Sequence, residues 1–165
     1  MTAQLLQTLV NREEVINPML LIEHDDNTSI LKGLQFDDPM VFIPWNIGAR
    51  VFETEFQNHQ ISCVTDGYYT VKDVRLFDIL VCNVGFYFDT RLNRIEFFRN
   101  DYSNLQKSFN EFQTVFEANF GKPSKQANAS TNYETYEWNI RNKIKIHHYV
   151  MDRFGLTEYL FILNM

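Results

Sequence analysis

A stripe of large apolar side chains at helical spacing runs through residues 101–123, and any fold of this chain must bury it. The stripe consists of Leu105, Phe109, Phe112, Phe116 and Phe120. Intervals of three and four residues place such side chains on one side of an α-helix. Ser103 and Gln106 fit a capping box at the start, and Gly121 with Pro123 predicts the end. Because burying each Phe contributes about 1.5–3 kcal/mol, we expect this helix to pack on a sheet or a second helix.

Other periodic segments predict a mixed α and β fold. Before the long helix, we expect a helix at residues 3–16, a strand or packed loop at 19–22, a strand at 30–36 and a helix at 47–57. Strands are expected at residues 68–74, 79–89 and 94–99, and again at 133–138, 143–151 and 156–163. Residues 58–67 and 122–132 have the composition of connecting segments.

The two halves of this order match when the sequence is shifted by 64 residues. The shift places V-F-E-x-x-F at residues 51–56 on V-F-E-x-x-F at residues 115–120, and it places Phe97 on Phe161. A shift by one residue would reverse the faces of a strand, so a single shift that keeps strands in phase indicates duplication. The sequence therefore predicts one globular domain over residues 1–165. It comprises an N-terminal extension at 1–41 and two helix–three-strand units at 42–100 and 101–165.

The alternation within the strands assigns side chains to two faces of one antiparallel sheet. The face expected beneath the helices carries Leu80, Cys82, Val84, Phe86, Phe88, Ile95, Phe97, Ile144, Ile146, His148, Val150, Tyr159, Phe161 and Leu163. The opposite face is expected to carry Val81, Asn83, Gly85, Tyr87, Arg94, Glu96, Phe98, Lys143, Lys145, His147, Tyr149, Glu158, Leu160 and Ile162. This second face mixes charge with apolar side chains, whereas a sheet face that meets only water is normally more polar.

Charge and hydropathy argue against several classes of function. The net charge is −6 without a cluster of Lys or Arg, which is the wrong sign for nucleic-acid binding. No apolar run approaches the roughly 18–20 residues of a membrane span, and the first residues do not resemble a signal peptide. We therefore expect a cytoplasmic protein that binds neither nucleic acid nor membranes. Cys63 and Cys82 are expected as reduced thiols, although their spacing alone leaves a disulfide open.

The reactive side chains form no pattern that identifies an enzyme. The motifs G-x-S-x-G, G-x-G-x-x-G, H-E-x-x-H and the P-loop are absent. His24, Asp25 and Asp26 are adjacent in a turn, where side chains seldom converge on one ion. His147 and His148 are neighbours on a strand and must point to opposite faces, so we expect His148 in the core and His147 at the surface. No catalytic residue, metal or cofactor is predicted.

Tandem helix-plus-meander units of this kind resemble the β-lactamase inhibitor protein and the small outer-membrane-assembly lipoproteins. The resemblance covers residues 42–164 and is carried by the V-F-E-x-x-F…L…F pattern of each half and by the F-G-K-P helix ending at residues 120–123. The chain equally resembles other bacterial families that are built on similar units, among them immunity proteins. The chain departs from the secreted members in lacking a secretion signal, a lipidation cysteine and a disulfide framework. The resemblance implies a concave sheet that binds a protein.

Three functions are compatible with this pattern. The first is a non-catalytic, inhibitor- or immunity-like binding module that uses the second face of the sheet. Its binding residues would be Tyr87, Arg94, Glu96, Phe98, Lys145, His147, Tyr149 and Leu160. The second is a homodimer formed through the same face. The third is a small hydrolase or ligand-binding protein, with a pocket between the N-terminal segment and the sheet that uses His24, Asp25 or His147.

Overall fold

The computed structural model describes residues 26–165 and shows an α+β protein built on one eight-stranded antiparallel sheet. The predictions on residues 1–25 lie outside the described residues. These are the helix at 3–16, the apolar run at 19–22 and the roles of His24 and Asp25. Within residues 26–165, the structure contains no helix long and apolar enough to cross a membrane.

The described chain begins with a 3₁₀ helix, Asp26–Leu31, and a separate hairpin formed by β1, Gly33–Asp37, and β2, Met40–Pro44. Helix α1, Ala49–Glu55, is followed by β3, Ile61–Thr65, β4, Tyr68–Leu76, β5, Leu80–Phe88, and β6, Leu92–Phe98. Helix α2, Leu105–Phe120, is followed by β7, Ser124–Ala127, β8, Glu134–Ile140, β9, Ile144–Asp152, and β10, Leu156–Asn164. The strand predicted at residues 30–36 thus divides between the 3₁₀ helix and β1, and the helix predicted at 47–57 is shorter.

The large sheet has the strand order β3-β4-β5-β6-β10-β9-β8-β7. Each helix therefore precedes a four-stranded meander, and the two meanders join where β6 pairs with β10. The prediction of three strands in each half was wrong, because β3 and β7 lie in the segments predicted as connections. Both are short edge strands with mostly exposed side chains, and such strands carry no apolar alternation that would identify them.

Helix α2 buries the stripe of phenylalanines that the sequence predicted. Phe109, Phe112, Phe116 and Phe120 are all buried, and Leu105 is partly buried. The predicted cap was wrong by one residue: Asn104 is the N-cap, and its side-chain oxygen accepts a hydrogen bond from the Lys107 amide. The helix ends at Gly121, whose φ of +76° is favourable for glycine alone.

Both helices and the β1–β2 hairpin lie on the same side of the sheet. The Phe52 ring of α1 lies 4.5 Å from Phe86, and the Phe116 ring of α2 lies 5.4 Å from Phe97. Phe86 and Phe97 share a face because Val84, two residues before Phe86, pairs with Phe97. Phe36 of β1 packs 5.9 Å from the same Phe86 ring. The aromatic core therefore fills one side of the sheet.

The side chains of β9 lie on the predicted faces of the sheet, whereas those of β10 lie on the opposite faces to the predicted ones. Ile144, Ile146, His148 and Val150 of β9 are buried on the helix side. In β10 the buried residues are Glu158, Leu160 and Ile162, because Leu160 pairs with Phe97 and Ile162 pairs with Ile95. The predicted faces of Tyr159, Phe161 and Leu163, and those of Glu158, Leu160 and Ile162, were therefore exchanged.

Candidate functional site

The sheet face opposite the helices, called the open face below, carries a band of partly exposed aromatic and charged side chains. Strand pairing sets its composition, because Tyr68 pairs with Tyr87, Tyr87 with Arg94, and Glu96 with Phe161. Phe161 pairs in turn with His147 of β9, and His147 with Glu137 of β8. The band thus crosses six strands, from β4 through β8.

The rings of this band contact one another across the strands. Tyr68 stacks on Tyr87 with ring centroids 4.2 Å apart, and the Arg94 guanidinium lies 4.6 Å from the Tyr87 ring and 4.5 Å from the Phe161 ring. His147 stacks on Phe161 at 5.2 Å. Tyr149 stacks on Tyr159 at 5.2 Å and meets Phe161 edge-on at 6.1 Å. We refer to these residues, Tyr68, Tyr87, Arg94, Phe161, His147, Tyr149 and Tyr159, as the aromatic ladder.

A short hydrogen-bond chain fixes the centre of the ladder. Glu96 accepts a hydrogen bond from the Tyr68 hydroxyl at 2.5 Å and forms an ion pair with Arg94 at 3.0 Å. Tyr68 can lie across the sheet only because residue 85 is glycine: a Cβ there would stand 2.7 Å from the Tyr68 hydroxyl oxygen. Burial raises the pKa of Tyr68, and the carboxylate of Glu96 raises it further. Tyr68 therefore donates as a neutral phenol at physiological pH.

At the β8–β9 end of the ladder, Glu137 forms an ion pair with Lys145 and lies close to His147. Its carboxylate lies 3.1 Å from the Lys145 ammonium and 3.5 Å from Nε2 of His147. Burial lowers the pKa of His147, and the attraction of Glu137 offsets this only in part. His147 is thus a neutral imidazole at pH 7. Together with the pairing of Arg94 and Glu96, this leaves the ladder with no unpaired charge of its own.

The structure brings seven of the eight predicted binding residues to the open face. Tyr87, Arg94, Glu96, Phe98, Lys145, His147 and Tyr149 alternate with the buried residues of β5, β6 and β9. Leu160 is the exception and was wrongly assigned, since it is only 1% exposed and faces the helices. Phe98 lines a pocket of about 170 Å³ together with Tyr102 and the ladder residues Tyr159 and Phe161. Burial raises the pKa of Tyr102 to about 12.

Sequence reasoning missed Tyr68, Tyr159 and Phe161. Strand β10 reads L-T-E-Y-L-F-I-L-N, with apolar side chains at both parities, so alternation alone does not choose its face. The charge of Glu158 favoured the wrong choice, since carboxylates are rarely buried unless they are paired. The one available signal was residue type, because β10 has aromatic side chains at one parity and branched aliphatic ones at the other.

The partner of Glu158 is the core histidine. His148 Nε2 lies 2.8 Å from the Glu158 carboxylate, and His148 Nδ1 lies 2.9 Å from the Gln113 side chain. The Ser108 hydroxyl donates to the other Glu158 oxygen at 2.5 Å. The prediction that His148 lies in the core is confirmed. The hydroxyl bonds to the carboxylate rather than to the imidazole, and the His148 and Glu158 side chains are fully buried, so this cluster does not activate Ser108 as a nucleophile.

The hypothesis of a pocket shared by His24, Asp25 and His147 lacks support in the described part of the chain. His147 lies on the open face, whereas the 3₁₀ helix that begins at Asp26 packs with β1 on the helix side. A cleft of about 300 Å³ does lie there, lined in part by Leu34, Asp37 and Phe120. None of the described residues that line this cleft is a histidine.

Over residues 26–165, the two thiols and the acidic residues show no catalytic arrangement. Both cysteines are free, with Cys63 exposed and Cys82 buried. Burial raises the pKa of Cys82 to about 12, so its sulfur remains a thiol at neutral pH. Within residues 26–165, no group of three or more His, Cys, Asp or Glu side chains is arranged to hold a metal ion.

Comparison with other proteins adds no further constraint on this site. No protein-family model matches the chain, and neither the curated proteins nor the solved structures yield a match.

Proposed function

We propose that this chain is a non-catalytic protein-binding module that uses the open face, in the manner of an inhibitor or immunity protein. One observation carries the proposal: the aromatic ladder is continuous across the sheet and remains partly exposed while the helices occupy the other side. Tyrosine and arginine at the centre of a surface patch are among the residue types that contribute most to binding energy at protein interfaces, and phenylalanine is enriched there as well.

The geometry of the ladder favours a protein over a nucleic acid as the partner. The rings of Tyr68 and Tyr87, and those of Tyr149 and Tyr159, already use their faces against one another. Neighbouring rings stacked across strands offer their edges to a partner, so the flat platform that a nucleobase needs is largely occupied. The charges are also paired within the face, so an attraction for phosphate is not expected.

We further propose that the two halves, residues 42–100 and 101–165, are copies of one helix-and-meander unit. The repeated order of one helix and four strands supports this, as does the matching phase of β5 and β9, where Leu80 and Cys82 correspond to the buried Ile144 and Ile146. The shift of 64 residues does not hold through β10. When it is applied to the last two buried positions of β6, it gives positions in β10 that are one residue away from the buried ones. The resemblance to inhibitor- and immunity-type proteins, and a cytoplasmic location, belong to the same proposal.

A matched pair of Phe variants tests the proposed binding face. Full-length wild type, Phe161→Ala and Phe42→Ala would be immobilised and exposed to lysate of the producing cell, with retained proteins quantified by mass spectrometry. Phe42 is 40% exposed on the hairpin at the helix side, so it controls for the loss of an exposed phenyl ring. We expect a protein retained by the wild type and Phe42→Ala to be lost with Phe161→Ala. Equal retention by all three would reject the open face as the binding surface.

A further inference from the structure

The two edges of the large sheet differ in how they are protected against pairing. At one edge, β7 has four residues, follows Pro123 directly and carries Lys125, which forms an ion pair with Glu134 at 3.3 Å. Short length, proline and lysine are the features by which proteins keep edge strands from pairing with other chains. The edge at β7 is therefore protected.

The opposite edge, β3, is also short but has neither a proline nor a lysine. Its five residues, Ile61–Thr65, read I-S-C-V-T and include neither a charge nor a proline. Four of the five are exposed, and Val64 exposes 55% of its surface. The strand pairs with β4 on one side, and in residues 26–165 no strand pairs with its other side. Branched, uncharged residues on an exposed edge are typical of a strand that accepts another strand.

We propose that β3 is a self-association edge, where two copies of this chain pair antiparallel across a two-fold axis and extend the sheet from one molecule into the next. Full overlap of the strand with its copy places Cys63 opposite Cys63, Ile61 opposite Thr65, and Ser62 opposite Val64. This pairing brings no like charges together. Asp66, which follows the strand, lies opposite Gln60, whose amide can donate to the carboxylate.

The bulge in β3 limits the strength of this contact. The register with β4 shifts between Cys63 and Thr65, so Ile61, Ser62 and Cys63 form the regular part of the strand. Bulges twist an edge and reduce its pairing. We therefore expect a reversible dimer that forms with rising concentration, rather than an obligate one. The proposal concerns the edge and is independent of the function proposed for the open face.

Sedimentation of the reduced, full-length chain over a concentration series tests the edge. The wild type should approach twice the monomer mass as concentration rises. Val64→Lys, which places a charge on the edge, should remain a monomer over the same range. Val51→Lys is the matched control, since Val51 is 56% exposed on α1 and should leave the dimer intact. A wild type that stays monomeric at every concentration, or a dimer that survives Val64→Lys, would overturn the proposal.

Disulfide trapping tests the alignment of the two strands. Directly opposed residues of an antiparallel pair have Cα atoms about 4.5–5.5 Å apart, a separation that a disulfide can span. Copper phenanthroline should therefore join two Cys63 thiols, which lose two protons and pass two electrons to two Cu²⁺ ions. The linked dimer should form much faster in the wild type than in Val64→Lys, and not at all in Cys63→Ser. Equal rates in wild type and Val64→Lys would indicate random collision and contradict the pairing.

Discussion

Arg94 is the residue on which the aromatic ladder depends most. Its guanidinium lies between the rings of Tyr87 and Phe161 and pairs with Glu96, so it joins β5, β6 and β10 on the open face. Its Nε is buried without a hydrogen-bond partner among the described residues. Two aromatic contacts hold this arginine in place, and each such contact contributes about 0.5–1 kcal/mol at a partly exposed site.

Substitution of Arg94 should therefore cost stability by an amount that depends on shape as well as charge. We expect Arg94→Ala to lower the free energy of unfolding by about 1–2 kcal/mol, because both ring contacts and the ion pair are lost. Arg94→Lys should recover only part of this, since an ammonium cannot lie flat between two rings. Urea denaturation of the three proteins measures the difference. Full recovery by lysine would show that charge alone matters.

The buried cluster around His148 has a hydrogen-bond arrangement that suits a neutral imidazole. Burial lowers the pKa of His148, and the hydrogen bond to Glu158 opposes this only in part. A neutral ring with its proton on Nε2 donates to Glu158 and accepts at Nδ1. Nδ1 faces the Gln113 side-chain oxygen at 2.9 Å, and an exchange of the oxygen and nitrogen of that amide lets its NH₂ group donate to Nδ1. This donation requires a neutral His148.

Stability should consequently fall as the solution becomes acidic. The pKa of His148 is lower in the folded chain than its unfolded value of about 6.5, so the unfolded chain binds more protons below that pH. Its contribution is present in full above pH 6.5 and is lost as pH falls toward the folded pKa. The slope is at most about 1.4 kcal/mol per pH unit for one proton. Urea denaturation of His148→Gln between pH 7.5 and 5 should show a shallower slope than the wild type, with His147 supplying the remainder.

Among the elements, α2 organises the fold, and its start is set by a single side chain. Asn104 caps the helix through its hydrogen bond from the Lys107 amide, whereas the Ser103 side chain makes no hydrogen bond to the first turn. Asn104→Ala should lower the free energy of unfolding by about 0.5–2 kcal/mol, the usual cost of losing an N-cap. Ser103→Ala should change it by less than about 0.5 kcal/mol. Thermal or urea unfolding of the two variants distinguishes them, and a larger effect at Ser103 would restore the predicted capping box.

Elements with a strong apolar period could be predicted from the sequence, and the others could not. The stripe of α2 and the alternation of β9 each identify a single buried face, so both elements were predicted with the correct faces. The sequence of β10 is apolar at both parities, and its face is set by pairing with β6, which is a long-range contact that local pattern does not contain. Strands β3 and β7 owe their structure to β4 and β8, because their own side chains are mostly exposed.

At the scale of the whole molecule, the two sides of the sheet have separate roles. One side buries both helices and the hairpin in an aromatic core that includes Phe36, Phe86 and Phe116. The other carries the aromatic ladder. The sequence predicted this division and most of the candidate site, because the faces of β5, β6 and β9 were correct. The sequence could not predict that Phe161 lies on the open face, because its position depends on the register between the two meanders.

Hydroxyl-radical footprinting of the free, full-length protein, read residue by residue by mass spectrometry, tests whether the ladder meets solvent. Residues of the same type can be compared within one experiment, since aromatic rings occur on both sides of the sheet. We expect oxidation of Tyr149, Tyr159 and Phe161, with Phe97 and Phe116 protected in the core. Protection of Phe161 together with oxidation of Phe97 would contradict an open, aromatic sheet face.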